Sequence, residues 1–160
     1  MSWSAHVTVA TVIEKDERFL LVEEHSEGIT HPVYNQPAGH VEPGETLLEA
    51  AYRETKEETA WEIEITHLLG IYTYTPPMFP NKSFFRFCFL AKPIQDTEQA
   101  LDTDILRVQW LSLDELQLSA RARSPLVIKC IQDALKGQQY PLSLIYEHPL
   151  AAQLNSDLEA

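Results

Sequence analysis

The chain has 160 residues, 24 acidic side chains against 12 Lys and Arg, and a formal net charge of −12. With 44% apolar residues it can bury one sizeable core, and its ordinary aromatic and charged content excludes wholesale disorder. The acidity excludes the basic footprint that duplex nucleic acid or an anionic bilayer requires.

In chain order, residues 7–13 are β-branched and nearly continuous, which predicts a strand buried on both faces. Glu14-Lys15-Asp16-Glu17 is a polar turn, and residues 19–22 resume as a second strand, so the pair reads as a hairpin. Residues 25–37, punctuated by Gly and Pro, read as a loop. Thr46-Leu47-Leu48-Glu49 is a capping box, and the stretch from Leu47 to about Ala60 lacks Gly and Pro, so it predicts a helix. Residues 63–75 predict one or two strands ended by Pro76-Pro77. Residues 84–91 form an aromatic strand, and residues 105–111 another, running into a helical turn over 112–116. Ser124 caps a second helix, with Pro125 at its first position and Gly137 at its end. Residues 138–160 carry no period and read as a partly ordered tail.

There is no internal repeat or linker, so residues 1–160 read as a single α+β domain, a mixed sheet with helices. Cys88 and Cys130 alone make no disulfide framework and point to a reducing compartment. Met1 to His6 lacks the basic start and apolar run of a signal peptide, and no stretch approaches the roughly 18 apolar residues of a membrane span. The expectation is a cytoplasmic protein, in which the sequon Asn81-Lys82-Ser83 carries no meaning.

The acidity is concentrated. Residues 42–64 hold eight acids and two bases, half of the net charge. At about 100° per residue, Leu47, Ala50, Ala51, Glu54 and Glu58 share one helical stripe, with Glu57 beside them. A solvated acidic face is the ordinary explanation of such a helix. Here Glu54 and Glu58 have no basic residue at three or four positions either way, and like charges so placed destabilise a helix. Arg53, flanked by Glu49 and Glu57, is placed to hold both. A bound cation would relieve the cluster, and oxygen ligands suit Mg²⁺ or Mn²⁺ rather than zinc, for which no Cys/His pair has the right spacing. Gly39-His40-Val41-Glu42-Pro43-Gly44 has the glycine spacing of a phosphate loop. Glu45 stands where that loop needs Lys, so an ATP-binding P-loop is excluded.

Read together, Gly39, Glu45, Arg53-Glu54 and Glu57-Glu58 resemble the Nudix box. Thr55 stands at a position usually aliphatic, and Ala60 replaces the closing Gly; Ala38 replaces a second Gly and is tolerable if its φ is negative. The resemblance implies a Nudix hydrolase with a mixed β-sheet between helices. It implies that Glu54, Glu57, Glu58 and the Gly39 carbonyl hold Mg²⁺, or Mn²⁺ in its place, and that Arg53 orients carboxylates. It further implies a loop acid as ligand or base: Asp104, six residues before Trp110, with Glu98 and Asp102 as rivals. Tyr34-Asn35-Gln36-Pro37-Ala38-Gly39-His40, Phe85-Arg86-Phe87, Arg123-Ser124-Pro125 and Gly137-Gln138-Gln139-Tyr140 are similar to the NudJ-type phosphatase branch. That branch implies hydrolysis of nucleoside tri- and diphosphates and of the thiamine precursor hydroxymethylpyrimidine diphosphate, with release of phosphate.

On this reading water attacks a phosphorus and Glu54 takes the proton, with Asp104 second. The expected partner is a small diphosphate or nucleotide, and neither duplex nucleic acid nor a membrane. Arg86, Gln36 and His40 are expected substrate contacts, and Tyr34 or Phe84 a stacking surface. A cation inside the apolar strand at Arg86 needs a partner in any case. The rival readings are a non-catalytic Nudix-fold binding module and a metal-independent acidic interaction domain.

Overall fold

The computed structural model describes residues 2–149. The strands are β1 (Ser4–Lys15), β2 (Arg18–Glu24), β3 (Val33–Asn35), β4 (Ala38–His40), β5 (Trp61–Tyr74), β6 (Lys82–Asp96) and β7 (Ile105–Leu111). The helices are α1 (Leu47–Thr59), α2 (Leu113–Ser119) and α3 (Pro125–Leu135).

The predicted hairpin forms, through a two-residue turn whose Asp16 and Glu17 take φ of 53° and 62°. It is short. β1 and β2 pair only at Glu14↔Phe19 and Lys15↔Arg18. Beyond that point they part, and each builds a separate ladder. β1 runs parallel to β6 from Ser4↔Lys82 to Ile13↔Ala91 and takes β4 antiparallel on its other edge, while β5 closes antiparallel on β6. β2 lies between β3 and β7, antiparallel to both. The sequence missed β3, which sits inside the expected loop, and β4, which opens the glycine-spaced loop before α1; of the one or two strands expected over 63–75 there is one, the bulged 14-residue β5. β6 extends past both ends of the aromatic run, to 15 residues.

Alternation along β1 explains its unbroken apolar sequence. Val9 and Ile13 pack with Ala50, Ala51 and Phe89 on the α1 side. Ala10 and Val12 pack with Cys88, Leu116, Val127, Cys130 and Ile131 on the α2–α3 side. A sheet covered on both faces has no polar face to show. Helices therefore flank a mixed sheet, as the sequence predicts.

Each helix starts where a hydroxyl caps it. Thr46, Ser112 and Ser124 accept from the amides of Glu49, Glu115 and Leu126. Glu147, in the predicted tail, adds a second cap to α1 by accepting from the Leu47 amide at 2.9 and 3.1 Å. The tail is further tied to β5 by two backbone bonds between Tyr140 and Leu68. The rest of it, residues 150–160, lies outside the described residues. No described helix is long and apolar enough to cross a membrane.

Two helices end on alanines in the left-handed region, Ala60 at φ 65° and Ala120 at φ 53°. A Cβ is disfavoured there, and glycine is not. Ala120 is exposed, so Ala120→Gly should raise stability by about 0.5–1 kcal/mol, read as a higher melting temperature. Ala60 is buried, and Ala60→Gly should gain less because it also removes a packed methyl.

Candidate active site

Helix α1 lies close on the sheet because its inner stripe is Ala50 and Ala51, both buried. Thr55, at the usually aliphatic position, is also buried, and its hydroxyl bonds that of Thr11 on β1 at 3.4 Å. The departure from the pattern is thus matched by a second hydroxyl on the strand it faces.

Arg53 is the hub of the acidic stretch. Its Nε and Nη2 donate to the two oxygens of Glu45 at 2.5 and 2.9 Å, and Nη1 donates to Glu54 at 2.9 Å and Glu57 at 3.2 Å. Nη2 also donates to the His40 carbonyl at 3.2 Å, which ties α1 to the end of β4. The sequence expected Glu49 and Glu57 as its partners, and Glu57 is one of them. In place of Glu49 the planar fork reaches Glu45, whose carboxyl its hydrogen bonds hold below the usual range. Arg53 thus holds three carboxylates by hydrogen bonds, and its guanidinium pKa is raised in return.

Glu54 points at β4. A Cβ on Gly39 would overlap its carboxylate, so Gly39 is there to let the two approach. Burial raises Glu54, an effect that Arg53 opposes and that Glu57 and Asp102 reinforce. Glu58 is only 8% exposed and accepts from the Ala38 amide at 2.8 Å. Ala38 itself has no positive φ, as the missing glycine requires. Burial, with Glu24, Glu54 and Asp102 nearby, pushes Glu58 up to about 9. Glu57 is more exposed, its carboxylate on Arg53 and its carbonyl receiving the Asp102 amide at 2.9 Å.

The three carboxylates are therefore neighbours but do not converge on one point, and among the described residues no three acidic, His or Cys groups form a ready cage. The donor set still fits a hard divalent cation. Its members are all oxygens, Gly39 leaves room beside Glu54, and Glu58 is set among acids with no cation among the groups that act on it most strongly. An ion between them would supply the missing positive charge.

Of the three loop acids, Asp102 is the one whose charge is felt at both Glu54 and Glu58, and its amide is bonded to α1. Asp104 lies two residues on, exposed in the turn before β7. Glu98 lines a cavity of about 340 Å³ with Trp61 and Trp110.

The expected substrate contacts divide. Tyr34 is buried, its ring covered by the Arg121 guanidinium at 4.4 Å and its hydroxyl accepting from Arg121 at 2.6 Å, so it offers no stacking face. Gln36 is 1% exposed, accepting from Arg86 at 2.8 Å and donating to the Val127 carbonyl at 2.9 Å. It is a core link rather than a substrate contact. Arg86 is buried at 7% exposure, and the partner its position demanded is a pair of amides, Gln36 and, at 3.0 Å, Asn35. His40 remains at the rim. Its Nε2 lies 3.2 Å from His6 Nδ1, and His6 stacks on Phe84 at 5.0 Å. Desolvation, then His6 and Arg123, hold His40 below its ordinary value.

Sequence reasoning missed Glu24, and it places Asn35 and Arg123 within the NudJ-like stretches without giving either a role. Glu24 is buried at the end of an apolar strand, accepts from Arg123 at 2.6 Å and Asn35 at 3.4 Å, and acts on Glu58. Two acids closing a core strand, Glu23-Glu24, were the available signal, because buried carboxylates demand partners.

A NUDIX domain model matches residues 4–129. The chain is 40% identical over 141 residues to phosphatase NudJ of Escherichia coli K12, covering 88% of this chain and 90% of that one. The phosphatase NudJ of Shigella flexneri matches equally. A NUDIX hydrolase from Nitrosomonas europaea is similar in structure, with a TM-score of 0.85 and 41% identity over 91% of this chain and 99% of that one. A MutT NUDIX hydrolase from Burkholderia pseudomallei, with a TM-score of 0.69 and 19% identity over 81% of this chain and 98% of that one, shares the fold.

Proposed function

Since this chain belongs to the Nudix family and is a hydrolase homologous to phosphatase NudJ, we propose that it cleaves diphosphate linkages in nucleoside tri- and diphosphates, and in hydroxymethylpyrimidine diphosphate, releasing phosphate. The observation that carries this reading is the set of acids on α1, with Glu54 at Gly39, Glu58 buried among like charges, and Arg53 holding the rest.

Glu54, Glu57, Glu58 and the Gly39 carbonyl would hold Mg²⁺, or Mn²⁺ in its place. Such an ion, when bound, neutralises phosphate charge and acidifies water. The water oxygen forms a bond to phosphorus, the bridging P–O bond breaks, and the leaving phosphate departs with the bridging oxygen. Glu54 takes the water's proton. The loop acids Asp102 and Asp104 are second in this role, with Asp102 favoured by its influence on Glu54 and Glu58. His40, exposed at the end of β4, would contact the substrate. A binding module without catalysis would leave the buried, like-charged Glu58 without a purpose.

Incubating the protein and Mg²⁺ with a panel of nucleotides and thiamine-related diphosphates, and scoring phosphate against pyrophosphate, tests the reading. Phosphate should predominate. Predominant pyrophosphate would overturn the phosphatase assignment, and no release from any member would overturn hydrolysis of these substrates.

A further inference from the structure

A small diphosphate brings several negative charges to a site already crowded with carboxylates, so protein cations must help to receive it. Arg53 is committed, its fork divided among Glu45, Glu54, Glu57 and the His40 carbonyl. Arg86 is buried and bonded to Asn35 and Gln36. Arg123 differs from both. Its side chain is 44% exposed, and among the described residues only its Nη1 is engaged, by Glu24 at 2.6 Å.

Its placement is fixed from the backbone. The segment 121–123 runs beside β3, with the Tyr34 amide donating to the Arg121 carbonyl at 2.7 Å and the Arg123 amide to the Tyr34 carbonyl at 2.9 Å. Ser124 then caps α3, so Arg123 cannot drift along the chain. Its charge reaches His40, while its partner Glu24 acts on Glu58. Through Glu24, Arg123 is joined to Asn35, three residues before the Ala38 amide that Glu58 accepts from. A hydrogen-bonded line runs inward from it through Glu24 and Asn35 to Arg86.

We propose that Arg123 is a substrate-binding residue, whose half-exposed guanidinium receives a phosphate oxygen of the diphosphate while Glu24 holds it in place. The inference rests on the diphosphate reading above. A guanidinium presents five donors in a rigid fork, so one edge can stay on Glu24 while the other takes the phosphate.

The test compares Arg123→Gln and Arg123→Lys in steady-state hydrolysis, in melting temperature, and in binding of the non-hydrolysable methylenediphosphonate with Mg²⁺. Arg123→Gln should raise KM about ten- to a hundredfold, with kcat within about twofold, and weaken methylenediphosphonate by a similar factor. Arg123→Lys should fall between wild type and Gln. Unchanged KM and unchanged methylenediphosphonate binding in the folded variants would overturn the proposal. So would a parallel fall in kcat and melting temperature at constant KM, which marks a merely structural role. If Arg123→Gln does not fold, the KM of Arg123→Lys decides alone, a rise supporting the contact and no change removing it. Wild-type protein that hydrolyses no diphosphate, yet binds methylenediphosphonate more tightly than Arg123→Gln does, would end the proposed reaction and leave the anion contact standing.

Discussion

Glu58→Gln should reduce phosphate release on the order of a thousandfold and at the same time make the metal-free protein more stable. The two effects share one cause. Gln keeps the shape of Glu58 and an oxygen to accept from the Ala38 amide, but it cannot hold a cation as a carboxylate does. Without a cation the native carboxyl is a liability, because burial and its acidic neighbours push it up to about 9. The folded state then binds a proton that the unfolded chain, titrating near 4.5, has released. Stability from this group is therefore complete below about pH 4.5 and falls as pH rises toward 9, costing about 3 kcal/mol at pH 7. Gln has no such dependence. In chelator the variant should melt several degrees above wild type at pH 8, with the gap narrowing toward pH 5. Full activity in the variant, or melting curves that coincide at pH 8, would refute the assignment of Glu58.

How much of this was legible depends on how local the signal is. Helix α1 could be read in full, because its cap, its alanine stripe and its acids fall within fifteen consecutive residues and interact at helical spacing. Strand β3 could not. Three residues inside a Gly- and Pro-punctuated stretch become a strand only because β2 offers them an edge. The same limit governs the site. That Arg86 needs a partner follows from a cation in an apolar strand, but the identity of that partner, Gln36 and Asn35 some fifty residues earlier, follows from the sheet. Tyr34 and Gln36 sit in a segment whose composition looks like a binding loop, and packing against α3 and Arg121 buries them. Asp102 and Asp104 are two residues apart in one turn, and spacing alone cannot tell which of them bears on Glu54 and Glu58. The bond from the Asp102 amide to Glu57 can.

Gly39→Ala should lower turnover about a hundredfold while shifting the melting temperature by only a few degrees. A Cβ at this position would overlap the Glu54 carboxylate, so one of the two must yield. Strand β4 is held to β1 on either side of the glycine, at Thr8↔His40 and Ala10↔Ala38. Glu54 meets the new methyl with the end of a flexible side chain, so the carboxylate moves and the backbone stays. Little folding energy is lost, but a group that must act within ångströms of phosphorus is displaced, and misplacement of about 1 Å costs on the order of a hundredfold. Gly137→Ala should behave in the opposite way. Its Cβ would meet nothing, but its φ of 82° would be strained, so stability falls and turnover does not. A double-mutant cycle separates displacement of Glu54 from any other effect of the methyl. In a Glu54→Ala background the obstacle is gone, and Gly39→Ala should cost less than about a further twofold. Additive losses in that cycle would mean that Gly39 serves the site through something other than Glu54.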